Sequence, residues 1–361
     1  MLPKLAADAC LRGKCVVKYR GMENKFYYNQ MSRDEKAVYE AMLSGFASSD
    51  AVIRAPLLPG KVIGDVFFRL RLDHPEIFYV TGCGFRWVQG AAYAELLPEY
   101  MFEKQKIPEH RRALETRLEK LVRPVSDKTA EEKELFIHGF ICESVRYDKL
   151  KKCYSHEIIG PLQNGVGVCE GMAKTVKLMC DRLGIDCVIA VSEPDPDGGR
   201  YLHAWNVIRL GKSWYHLDAT FDNTLTRGGE IRYDYFNLCD KQIFRDHRTL
   251  RYPVPECADS GGFYYREHGL SFTKPEELPG RVSQAIRKKK DGLTFHWRGG
   301  YLTRDKLVEL AQIINAEAAK RGRGVLYSVN WAQAVIRLVF TDPGAALCIE
   351  SEDAETMEGE I

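Results

Sequence analysis

The sequence predicts an α+β protein, and three observations carry that prediction. A glycine-rich turn leads into an amphipathic segment that begins at Cys169 and ends before Gly184. Three β-rich segments follow it, "DCVIAVS", "RYLHAWNVIRL" and "SWYHLDATF", separated by turn residues. Helical patterns dominate the chain before this block, and short helical and strand patterns alternate after it.

The bulk numbers exclude several classes. At roughly 100–200 residues per domain, a chain of 361 residues makes two or three domains. Hydrophobic residues are 45% and charged residues 28% of the chain, ordinary globular usage with enough apolar side chains for a sizeable core. A formal net charge of +2 gives no basis for a nucleic-acid partner or an anionic membrane. The opening "MLPKLAADACLRGKCVVKYRG" is interrupted by charge throughout, unlike a signal peptide, and no run approaches the ~18 apolar residues of a spanning helix. The expectation is a soluble, cytoplasmic protein. Eleven cysteines, an odd number with no CxxC pair, argue against a disulfide framework and against a Cys-rich zinc site. Most of them read as reduced, small core residues.

Taken in order, residues 1–125 form an α/β flanking region. It has a strand-like "CVVKYR" and a helix in "SRDEKAVYEAMLSGFASS", with Ser32 and Glu35 placed for a capping box. A "DHPE" turn then separates an apolar segment from a strand-like "IFYV", and a charged amphipathic helix ends before Pro124. Residues 126–274 form the central domain. Its first helix, in "SDKTAEEKELFIHGFICESVRYD", presents Leu135, Phe136, Phe140 and Ile141 as an apolar stripe. Residues 275–350 read as a small α/β domain, and 351–361 as a disordered acidic tail.

In the central segment Met172, Val176, Met179 and Leu183 recur at four, three and four residues, one helical stripe stopped by Gly184. Cys169 therefore falls in the first turn, where unpaired N–H groups and the helix dipole favour a thiolate. Gly165 and Gly167 let the incoming backbone turn tightly. A nucleophile also needs a base held by a third group. Gly211-Lys212 fits a two-residue hairpin that pairs Leu210 with Ser213. His203 and Asp218 then lie on one face as diagonal neighbours, and a one-residue slip would separate them. The order Cys, His, Asp fits a thiol triad in which Asp218 sets the tautomer of His203.

Other residues have plainer readings. Trp205 and Trp214 read as core or wall residues, with Trp205 the candidate wall of a substrate cleft. Asn206, on the opposite face from His203, reads as a structural hydrogen-bonder. Asp222, Asp234, Asp240 and His247 read as turn and cap residues, and Cys180 and Cys187 as structural. A zinc site of Cys169, His203, His216 and Asp218 is sterically conceivable, but the triad is simpler. No metal and no cofactor is expected.

"GVCEGMAKTVKLMCDRLGI", "HAWNVIRLGKSWYHLDATFD" and "YDYFNLCDKQIFRDH" together resemble the bacterial transglutaminase-like proteins, which share the papain-like core. The resemblance covers about 135–270, and the lead-in helix ending in Tyr147-Asp148 fits it as well. It implies Cys169 as nucleophile, His203 as general base and acid, and Asp218 as orienting carboxylate. The oxyanion hole would use the Cys169 N–H and, by analogy with papain-like enzymes, Gln163. The sequence has no calcium-loop motif, unlike the calcium-dependent animal-type transglutaminases, and no CxxC pairs like the zinc-bearing peptide N-glycanase relatives. The implied activity is thiol-dependent acyl transfer on amide bonds of peptides or proteins, with hydrolysis ahead of amine crosslinking. A non-catalytic binding role for the fold, or a protein partner recruited by the flanking regions, is the reading from a different class.

Overall fold

The computed structural model describes residues 25–87, 90, 92–194, 202–226, 229–343 and 349–351. The strand-like "CVVKYR", the acidic tail beyond Ser351, and Cys10, Cys15 and Cys348 lie outside the described residues. Local sequence signals set many of the element ends. Ser32 and Thr129 each close a full capping box, with Glu35 and Glu132, at the starts of the helices Arg33–Ser48 and Ala130–Ser144. The apolar segment before "DHPE" is the helix Gly60–Asp73. "IFYV" is mostly a 3-10 turn and its exit, and the strand begins only at Val80.

The central sheet has four antiparallel strands in the order Cys187–Val191, Ala204–Leu210, Ser213–Leu217 and Phe236–Leu238. Its hairpin register pairs Leu210 with Ser213 and Asn206 with Leu217, as the two-residue turn requires. The second hairpin strand is shorter than its sequence pattern. It stops at Leu217, and "ATF" opens the helix Ala219–Leu225 instead.

The helix Cys169–Leu183 packs on one face of this sheet. Met172, Val176 and Met179 are fully buried, each contributing about 1.5–3 kcal/mol relative to exposure. Asn206 lies on that face and donates from Nδ2 to the Ala173 carbonyl at 3.0 Å, which ties sheet to helix. The far side of the helix is held by a buried ion-pair cluster. Lys174 Nζ lies 2.8 Å from both Glu157 and Glu170, and Arg71, from the helix Gly60–Asp73, also pairs with both carboxylates. One hydrophobic core takes in residues from Met31 to Phe236, so helices of the first hundred residues pack against the cysteine helix.

The C-terminal sheet has five strands in the order Ser271–Phe272, Gly292–Trp297, Val335–Thr341, Gly324–Asn330 and Ile349–Ser351. Together with the helices Leu278–Arg287 and Arg304–Ala319 it encloses its own core. Val335 is the exception, since it packs into the core around Trp205 and Val207. Among the described residues no helix is long and apolar enough to cross a membrane.

Candidate active site

Cys169 is the first residue of its helix. Gly165 ends the preceding helical turn in the left-handed region, at φ 63°. A Cβ at Gly167 would meet Pro161 Cγ at 2.9 Å, so only glycine fits there without displacing its neighbour. Val168 then donates its N–H to the Ser155 carbonyl at 3.0 Å, which fixes the entry into the helix. The Cys169 side chain is half-buried, and its Sγ lies 3.8 Å from the Leu202 carbonyl. The thiol therefore sits beside the strand end that carries His203.

His203 lies one residue before the strand Ala204–Leu210 and Asp218 one residue after the strand Ser213–Leu217. The backbone of His203 pairs with Ser192, donating to its Oγ at 3.0 Å while the His203 carbonyl accepts from the Ser192 N–H at 2.9 Å. Its Nε2 lies 2.5 Å from Asp218 Oδ2. Asp218 also caps the helix Ala219–Leu225, with Oδ1 accepting from the N–H groups of Thr220 and Phe221 at 2.9 and 3.0 Å. Burial alone would raise its pKa, but the His203 and His247 rings overcome this and hold it well below the usual carboxylate range.

His247 is a correction to the sequence reading. It does end a turn, its N–H donating to the Ile243 carbonyl at 3.1 Å, but its ring does more than a turn residue's. It is buried behind the site, with Nε2 2.8 Å from Asp218 Oδ2 and Nδ1 2.9 Å from Asp246 Oδ1. A signal was present, because His247 closes the third family-like motif, "YDYFNLCDKQIFRDH", but nothing local shows where its ring points. Asp222 and Asp234 are likewise buried network carboxylates. Asp222 accepts from His138 Nε2 at 3.0 Å and from the Asp234 N–H at 2.8 Å, and Asp234 pairs with the buried Arg232.

Trp205 is also corrected. It is 1% exposed and lies in the core, so it cannot wall an open cleft. Its ring stacks on His203, with centroids 5.6 Å apart and planes 18° from parallel, and backs the imidazole from inside. Gln163 is exposed on the π-helical turn Gly160–Asn164, and among the described residues no hydrogen bond ties it to Cys169.

Among the described residues, three possible metal-donor atoms converge within 4.8 Å in two places, His203–Asp218–His247 and His216–Asp240–Cys257. Cys169 belongs to neither, so the structure does not assemble the four-residue zinc alternative. In the second cluster Trp205 Nε1 donates to His216 Nδ1 at 3.0 Å, which leaves the proton on Nε2. That Nε2 faces Asp240 Oδ1 at 2.8 Å, a hydrogen-bonded tautomer unsuited to holding a metal through Nε2. A further Cys/His/Asp grouping, Cys142, His138 and Asp222, is fully enclosed. Burial pushes the Cys142 thiol far up and the His138 imidazole down to about 3, so this group is chemically quiet.

A helix presenting a cysteine at its N-terminus, packed on an antiparallel sheet whose strand ends carry histidine and aspartate, defines an α+β, papain-like core. Residues 116–219 match the model of the transglutaminase-like superfamily, and the chain carries a transglutaminase-like domain there. The matched stretch includes Cys169, His203 and Asp218. No curated protein matches the chain. Among solved structures the chain is similar to a TGase, at 12% identity over 46% of this chain and 50% of that one, with a TM-score of 0.27. It is similar to a candidate cysteine protease from Cytophaga hutchinsonii, at 13% identity over 38% of this chain and 61% of that one, with a TM-score of 0.24. It is also similar to menin, a structure described as revealing the binding site for the Mixed Lineage Leukemia protein. That match has 16% identity over 80% of this chain and 52% of menin, with a TM-score of 0.27. The chain thus spans about half to three-fifths of the length of these structures.

Proposed function

We propose that the protein is a thiol-dependent acyl-transfer enzyme that hydrolyses amide bonds of peptides or proteins. The observation that carries the reading is the 2.5 Å contact of His203 Nε2 with Asp218, at a strand end beside the half-buried thiol of Cys169. With Nε2 engaged on the carboxylate, Nδ1 is the nitrogen that exchanges a proton with the thiol. Cys169 Sγ gives its proton to His203 and attacks the carbonyl carbon. The C–N bond breaks, and the His203 proton goes to the leaving amine. Water, deprotonated by His203, then opens the thioester, releasing the carboxylic acid and restoring the thiol. The Cys169 N–H, unpaired within its own helix, is the donor for the oxyanion, and Gln163 is the second candidate donor.

Alkylation with iodoacetamide at pH 6–7 tests the nucleophile. Selective labelling of Cys169, lost in His203→Ala, is the expected result. Slow, equal labelling of several cysteines would sink the enzyme reading and leave a binding role for the fold. Incubating a glutamine-containing peptide with a labelled amine then separates the reactions. Hydrolysis releases ammonia or cleaves the chain without incorporating label, whereas label in the peptide means crosslinking.

A further inference from the structure

We infer that His247 is a positioning residue of this site, an imidazolium held between Asp218 and Asp246 that fixes the carboxylate to which His203 is bonded. Both ring nitrogens of His247 face carboxylate oxygens, at 2.8 and 2.9 Å. An ionised carboxylate only accepts, so the protonation of the ring follows from the state of its two neighbours. The remaining partners of Asp218 are the two backbone N–H groups of the helix Ala219–Leu225 and His203 Nε2. Asp246 accepts from Tyr235 Oη at 2.7 Å and from Gln333 Nε2, 3.3 Å from each of its oxygens. The other groups that meet these two carboxylates are donors, so the carboxylate oxygens act as acceptors and His247 donates from both nitrogens. Burial opposes its charge, yet Asp218 and Asp246 raise its pKa.

The position of this ring explains why the charge is useful. Around it stand the rings of His203, Trp205, Phe221 and Tyr235, with centroids at 5.4, 5.0, 4.6 and 5.6 Å, and His216 lies on the adjoining strand. Two carboxylates and one imidazolium present a net charge of −1 to His203. When His203 takes the thiol proton, that charge is matched. Without His247 the net charge would be −2, and His203 would hold its proton too tightly to pass it to a leaving amine. The anchor reaches beyond the central sheet, because Gln333 belongs to the turn between the C-terminal strands Gly324–Asn330 and Val335–Thr341.

The consequence for catalysis rests on the acyl-transfer reading, but the protonation state does not, so two measurements separate them. Nitrogen-15 NMR of the full chain, with the His247 signal assigned by its loss in His247→Gln, should show a doubly protonated ring at pH 7. A neutral tautomer there overturns the inference. The second measurement is the pH profile of Cys169 alkylation in the wild type and in His247→Gln, which removes the charge. A unit charge 5.4 Å away moves such a midpoint by about two pH units at an effective dielectric of about 20, and partial exposure of His203 reduces this to about one. The alkaline limb of the variant should therefore move up by about one pH unit. A slower rate with an unmoved profile means that His247 only packs, and refutes the positioning role. An imidazolium at His247 in a wild type without selective Cys169 labelling keeps the charge assignment and rejects the acyl-transfer reading.

Discussion

Replacing Glu134 by Gln should make the protein more stable at pH 8 and leave it nearly unchanged at pH 5. Glu134 lies on the helix Ala130–Ser144 and is 1% exposed, with Oε2 accepting from Asn237 Nδ2 at 3.0 Å. Burial, reinforced by Glu267 and Glu131 and only partly offset by Asn237, pushes its carboxyl pKa up to about 8. In the unfolded chain the same group titrates near 4.3. The folded state therefore keeps a proton that the unfolded chain has released. Its contribution to stability is complete below about pH 4.3 and is lost as the pH rises towards 8. At about 1.4 kcal/mol per pH unit, the loss between pH 5 and 8 is about 3–4 kcal/mol. Gln keeps an oxygen for Asn237 and does not titrate. Urea unfolding of both proteins at pH 5, 6, 7 and 8 gives the difference directly. His138, pushed down to about 3 by burial, destabilises the fold on the acid side, but it is common to both proteins and cancels in the difference. Two stability curves that run parallel across this range would refute the argument.

Two further outcomes follow from the geometry around the candidate triad. Gly171→Ala should gain about 1 kcal/mol of helix propensity, but its Cβ would fall 2.1 Å from the Ser155 carbonyl oxygen. That backbone oxygen also receives the Val168 N–H, so we expect a net loss of about 1–2 kcal/mol, a lower Tm and slower labelling of Cys169. Asp218→Ala should be less stable than Asp218→Asn. Alanine loses the helix cap, about 1 kcal/mol, and removes the buried partner of two imidazoles, about 3–5 kcal/mol. Asparagine retains the cap oxygen. Both substitutions should slow Cys169 labelling, and equal Tm values for the two would show that the cap contributes nothing.

Much of this arrangement is legible in the chain because it rests on short-range rules. Ser32 with Glu35 marks a helix start, as does Thr129 with Glu132, since a capping box spans only four residues. The apolar stripe from Met172 to Leu183 specifies both the helix and its buried face. Reading failed where burial overrode pattern. The helix Ala130–Ser144 buries Glu134 and His138, while Leu135 and Phe136 of the expected stripe are only half-buried. Similarly, "ATF" has strand-like composition but turns into helix, because Asp218 caps it.

By itself the sequence determined the parts of the site that one hairpin and one helix can position. A two-residue turn allows one register, and the period of two along a strand then brings His203 and Asp218 together. The period of the apolar stripe puts Cys169 at a helix start. Tertiary structure alone decided what stands behind them. Trp205 became the inner backing of His203 because the sheet is covered on that face. His247, Asp246 and Gln333 come from irregular segments, where no repeat fixes the direction of a side chain. Their meeting depends on loops closing over long sequence separations, which packing of the whole chain sets and no local pattern encodes.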